Sequence, residues 1–162
     1  MGKRGDHLQQ LNLFLNGCSE KRGGGALPKN LFKAYYGFIT DALGLIQGCF
    51  TEKEQQLYAI IVAAREQELT PWLSQVYMDA LHNYREHELG LKPGFAPVNE
   101  RDAVTNLLGF AFTARTALQD PGDVHSLWRE IEEFSDEYFQ FFGHANELVE
   151  LFHSNMEAGR LR

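Results

Sequence analysis

Asp123–Glu157 reads DVHSLWREIEEFSDEYFQFFGHANELVELFHSNME, and its periodicity decides the fold class. Leu127, Ile131, Phe134, Tyr138 and Phe141 recur at intervals of three and four, with Trp128, Phe139 and Phe142 widening the stripe. That spacing is the buried face of a helix from about Asp123 to Phe142. Gly143 breaks the run, and a second helix follows to about Ala158. The segment holds nine carboxylates and one base, Arg129, interleaved with seven aromatic rings. Met1–Gly122 carries thirteen acids against twelve bases, so the acidity behind the overall net charge of −7 is local.

The rest of the chain also has helical periodicity and no segment with a convincing period of two. A first helix from about Asp6 to Asn16 places Leu8, Leu11 and Leu15 on one stripe and stops at Gly17. The Gly-rich stretch from about 18 to 27 is expected to be mobile. A second helix, about Pro28–Gln47, turns Leu31, Tyr35, Phe38, Ile39, Ala42, Leu45 and Ile46 inward. Its opposite side, Gly37, Asp41, Gly44 and Gly48, is a groove of small residues that another helix could approach.

Thr51 with Glu54 forms a capping box that opens a third helix, to about Glu68. Thr70-Pro71 starts a fourth, ending before Gly90, and Asn99 with Asp102 starts a fifth, to about Leu118. The third and fifth are apolar nearly all round and are expected to be central. The Pro-rich connection from about 90 to 98 is the candidate hinge or crossover. The whole predicts an all-α, single-domain helical bundle of six to seven helices spanning residues 1–162.

Hydrophobic content of 44% suits a folded globular protein. Net acidity argues against direct nucleic-acid binding, because phosphate attraction needs clustered Lys and Arg. Residues 1–33 are nonetheless net +4, so the chain is electrically polarised. Two isolated cysteines, Cys18 and Cys49, fit a reducing cytoplasm better than a disulfide framework. The opening MGKRGDHLQQ lacks the apolar core of a signal peptide, and no apolar run is long enough to span a bilayer. A cytoplasmic protein without membrane association is expected.

Glu130, Glu133 and Glu137 follow one another at helical spacing, with Glu132 and Asp136 on an adjacent ridge. Of the exposed pairs that normally support such a face, only Arg129–Glu133 is present. A one-signed ridge of this kind suits a cationic partner. The preferred function is therefore a non-enzymatic binding module, an adaptor, chaperone or inhibitor, that engages a basic protein surface through Glu130, Glu132, Glu133, Asp136 and Glu137 and needs no cofactor. An acidic mimic of nucleic acid is an alternative.

A metal-dependent reading rests on Glu130, Glu133, Glu147, Glu150 and His153. The spacing Glu130-x-x-Glu133 followed by Glu147-x-x-Glu150 resembles the paired acidic motifs of the all-α nucleoside triphosphate pyrophosphohydrolases of the MazG type, with Glu at the last position where that family has Asp. The resemblance implies a divalent cation such as magnesium or manganese and hydrolysis of a phosphorylated small molecule. A second ridge, Asp79, His82 and Glu86, could form half a metal site if it faced the last helix. Arg115, alone among apolar neighbours, needs a carboxylate, for which Asp41 is the natural candidate. Trp72 and Trp128 are expected in core or rim packing. No nucleophile motif stands out.

Overall fold

The computed structural model describes residues 3–20, 31–65, 70–90, 99–117 and 124–160, without side chains at 3–6, 19–20, 115–117, 124–125 and 159–160. Its elements are α1 (Lys3–Glu20), α2 (Leu31–Gly44), α3 (Glu52–Ala63), α4 (Pro71–Asn83), α5 (Glu100–Ala117), α6 (Val124–Phe141) and α7 (Ala145–Arg160). A 3₁₀ turn occupies Gln47–Cys49, and a π turn, Tyr84–Glu88, extends α4. The architecture is an all-α helical bundle. The Gly-rich stretch from 21 to 27 and the Pro-rich one from 91 to 98 lie outside the described residues.

Helix starts follow local chemistry. Thr51 Oγ1 accepts the Glu54 amide while Glu54 Oε1 accepts the Thr51 amide at 2.9 Å, so two otherwise orphaned donors are satisfied. Thr70 Oγ1 accepts from the Leu73 amide at 3.1 Å, ahead of Pro71 at the first helical position. Asn99 Oδ1 does the same for the Asp102 amide at 2.8 Å.

The centre is α2, not α3. Ten of the fourteen residues of α2 are buried, Tyr35, Phe38 and Ile39 completely. Its carbonyls also take tyrosine hydroxyls: Tyr58 bonds Thr40 O at 2.9 Å and Tyr138 bonds Ala42 O at 2.9 Å. α3 is peripheral. Leu57 and Ile61 face inward, but Ala59, Val62 and Ala63 are exposed, since small side chains lose little by facing water. α5 is central as expected, with Val104, Leu107, Leu108 and Phe112 buried.

Two other expectations are corrected. α1 does not stop at Gly17 but runs through it, and its buried face is His7, Phe14 and Cys18, with Leu11 and Leu15 partly buried against the core as expected and Leu8, 51% exposed, turned out. Phe14 decides that rotation: its ring meets Phe38, Phe139 and Phe152 at centroid distances of 5.8–6.3 Å, a larger apolar gain than a leucine stripe would supply. Trp72 is 73% exposed and belongs to no core, whereas Trp128 packs on Phe152 at 5.4 Å.

α6 and α7 are joined through Phe142–His144, where His144, not Gly143, takes the left-handed conformation with φ 70°. The two helices are not a tight hairpin. α7 lies along α2 and α1, α6 along α1 and α5, and α1 packs against both. The glycines admit this. A Cβ on Gly17 would meet Val149 Cγ2 of α7 at 2.8 Å, and one on Gly37 would collide with Asn155 Oδ1. Asn155 in turn bonds Asp41 Oδ2 at 3.0 Å and accepts from Arg65 at 3.0 Å. The groove of small residues on α2 is thus occupied by α7 at Gly37 and by the Tyr58 hydroxyl at Gly44.

Candidate functional site

The carboxylates of α6 divide between three environments, because α1, α2 and α5 all press on this helix. Asp136 is held by His7 of α1, 2.6 Å from its Nε2. Glu130 accepts the Tyr35 hydroxyl of α2 at 3.2 Å. Glu137 turns toward α5 and accepts from Asn106 Nδ2 at 2.9 Å. Burial, reinforced by Asp102 and Asp136 and opposed by the Asn106 bond and Arg85, pushes the Glu137 carboxyl up to about 7. Only Arg129, Glu132 and Glu133 are exposed among the described side chains of α6. The five-membered acidic ridge expected from spacing is therefore two outward carboxylates, Glu132 and Glu133, and three, Glu130, Asp136 and Glu137, that are partly exposed and tied to neighbouring helices.

Glu130 and Glu133 form one wall of a cleft of about 310 Å³ between α4, α5 and α6. Met78, Leu81 and Phe110 supply apolar surface, His82 and Arg85 stand on the α4 side, and Thr105, Asn106 and Gly109 come from α5. Burial first, then repulsion from Glu133, raises the Glu130 carboxyl above its ordinary value, against the lowering effects of Tyr35 and Arg129. Arg85 does not neutralise this wall. Its guanidinium pairs with Asp102 at 2.6 Å, with side-chain exposures of 10% and 6%.

The second ridge does not act as a unit. His82 joins the cleft, Asp79 accepts from Gln75 Nε2 at 2.9 Å, and Glu86 is exposed. Nor does the ridge face α7: α4 packs on α5. On α7, Glu147 lies 3.9 Å from His144 Nδ1, Glu150 is exposed, and His153 Nε2 is 3.1 Å from Gly17 O. Among the described residues no three His, Cys, Asp or Glu groups are gathered as a metal ion requires. The splay of α6 from α7 is the reason Glu130 and Glu133 are not brought to Glu147 and Glu150. Asp41 is taken by Arg65 at 2.7 Å, while the Arg115 side chain lies outside the described residues.

Two polar groups went unread in the sequence. Arg85 follows Leu81 by four and so falls on the inward stripe, a signal that it needed an acid; the π turn then carries it against Asp102. Arg85 Nε and Glu137 Oε2 are buried without a hydrogen-bond partner among the described residues. The second group centres on Glu54, fully buried, which meets Arg101 Nη1, the Tyr84 hydroxyl at 3.0 Å and its own capping box. Arg101 also bonds Cys49 O at 2.6 Å. This node ties the 3₁₀ turn, α3, the π turn and α5 together; being closed on itself, it reads as structural.

The chain matches no family model, no curated protein and no solved structure. No described helix is long and apolar enough to cross a membrane.

Proposed function

We propose that this protein is a non-enzymatic binding module that engages a basic protein surface across α4 and α6. What supports it is the α4–α5–α6 cleft, where Glu130 and Glu133 stand over apolar surface and the arginine that lines it, Arg85, is already committed to Asp102. Glu133, which is exposed, extends the negative wall outward, and Glu132 adds an exposed carboxylate on the adjacent ridge of α6. Trp72 and Val76, one turn apart and 73% and 39% exposed, offer on α4 the aromatic contact that interface hot spots favour. Relative to the sequence reading, the contact surface moves from five acids of α6 to the α4–α6 edge, because Asp136 is tied to His7 and Glu137 to Asn106.

The test is fluorescence anisotropy with a labelled Lys/Arg-rich peptide and a net-neutral peptide of the same length. Binding of the basic peptide is expected to weaken steeply between about 20 and 300 mM salt, as exposed charge pairs are screened. Glu132→Lys with Glu133→Lys should abolish it. Salt-insensitive binding, or binding that survives the double reversal, would sink the proposal.

A further inference from the structure

We infer that Arg85, Asp102, Asn106 and Glu137 form a proton-operated latch between the π turn, α5 and α6: when Glu137 is charged its unpaired oxygen turns onto the unpaired Nε–H of Arg85, and a proton on Glu137 opens that bond. Arg85 and Asn106 also line the α4–α5–α6 cleft, but the latch does not depend on what the cleft holds.

Two enclosed atoms of opposite polarity carry the inference. Arg85 Nη2 donates to Asp102 Oδ1 at 2.6 Å, yet its Nε–H has no acceptor among the described residues and almost no surface open to water. Glu137 Oε1 accepts from Asn106 Nδ2 at 2.9 Å, while Oε2 is as enclosed and has no donor. A buried donor and a buried acceptor left apart each keep a desolvation cost that joining them removes. Arg85 is near enough to act on the Glu137 charge.

A proton accounts for the gap. With Asn106 on Oε1, a neutral Glu137 carries its hydrogen on Oε2 and presents a donor to a donor. Ionised, the same oxygen is an acceptor, and a charged N–H···O bond is among the strong ones. Asp102 keeps its own bond, because one guanidinium has N–H groups enough for two carboxylates. The π turn that carries Arg85 is a single wide turn, closed by the Leu89 amide on Tyr84 O at 3.1 Å, and it is the piece that adjusts.

The groups around Glu137 set its poise. Burial, Asp102 of α5 and the neighbouring Asp136 favour the proton; the Asn106 amide and Arg85 of the π turn favour the charge. His7 of α1 is engaged with Asp136, and α2 meets α6 through the uncharged Tyr35 at Glu130. The carboxyl is thereby pushed up to about 7, so the latch changes state around neutral pH. Burial outweighs the new bond, and the charged form keeps a net penalty.

The experiment follows the Glu137 carboxyl carbon and the Arg85 Nε–H in one sample by NMR between about pH 5 and 9. The two should share one midpoint near neutral pH, the Arg85 proton moving downfield and its protection from solvent exchange rising about tenfold as Glu137 ionises. In Glu137→Gln the Arg85 signal should stay still across the range. In Arg85→Lys, which keeps a cation for Asp102 but has no Nε, the Glu137 midpoint should rise by about one pH unit. An Arg85 signal that ignores pH, or follows the same curve in Glu137→Gln, overturns the latch, as does an unchanged Glu137 midpoint in folded Arg85→Lys. If the lysine variant does not fold, the comparison of wild type with Glu137→Gln decides. No ligand enters these readings, so the latch and the binding module can each fail while the other stands.

Discussion

Glu137→Gln should stabilise the protein at neutral and alkaline pH and do nothing at acid pH. The wild-type carboxyl titrates at about 7 in the folded chain, against an ordinary value of 4.5. Between those values the folded chain holds a proton that the unfolded chain has released. This group's penalty is therefore absent below about pH 4.5, grows as pH rises, and is complete above 7. Taken at face value the difference is about 3 kcal/mol, and about 2 kcal/mol once the solvent-facing edge of the carboxylate is discounted. Glutamine keeps a carbonyl oxygen for Asn106 and is neutral throughout. For a chain of this length about 2 kcal/mol moves the melting temperature by roughly 4–8 °C. Thermal melts of both proteins by circular dichroism at acid, neutral and alkaline pH should therefore coincide at the acid end and separate by that amount at the alkaline end. A gap that does not change with pH, or a variant less stable in alkali, would refute the reasoning.

Other perturbations separate packing from surface chemistry. Gly37→Ala gains about 1 kcal/mol of helix propensity but drives a methyl into Asn155, breaking its bonds to Asp41 and Arg65; a net loss of about 1–3 kcal/mol is expected in urea unfolding, and a raised midpoint would contradict it. Glu54→Ala leaves the Arg101 guanidinium and the Tyr84 hydroxyl without their acceptor, and should cost about 3–5 kcal/mol by denaturant titration. A cost below about 1 kcal/mol would show the node to be incidental. Trp72→Phe should change stability by less than about 0.5 kcal/mol while removing the red-shifted, iodide-quenchable part of the tryptophan emission. Emission from Trp72 that is blue-shifted and protected from iodide would place it in contact with something after all.

Local grammar was legible and packing rotation was not. Thr51 with Glu54, Thr70 with Pro71, and Asn99 with Asp102 announce three helix starts through hydrogen bonds that close within four residues, so the sequence contains both partners. The stripe on α6 was also readable, because Leu127, Ile131, Phe134 and Tyr138 outvote any alternative rotation, although Phe139 and not Phe141 is the buried ring at its end. α1 was legible only in part: Leu11 and Leu15 do pack against the core, but Leu8 is turned out, and only the distant rings of Phe38, Phe139 and Phe152 make Phe14 the centre of the buried face. In α3 apolar content does not amount to centrality, because Ala59, Val62 and Ala63 face water. The candidate site was half visible. Glu130, Glu133 and His82 stood out as charged ridges, yet which ridges meet depends on α4 packing on α5 and on α1 lying against both α6 and α7. The inward place of Arg85 follows from its spacing after Leu81, but its pairing with Asp102 depends on a π turn, which no residue spacing declares.

The position of α1 bears on how the chain is made. His7 and its partner Asp136 are 129 positions apart, and Gly17 meets Val149 and His153 from the far end of the sequence. During synthesis α1 leaves the ribosome long before α6 and α7, which supply two of the three rings around Phe14, so this side chain must wait, partly exposed or sheltered by a chaperone, until both helices have been made. Contacts of such separation also slow folding by the loop that must close. A nascent chain stalled before α6 should therefore be far more sensitive to protease in α1 than the finished protein.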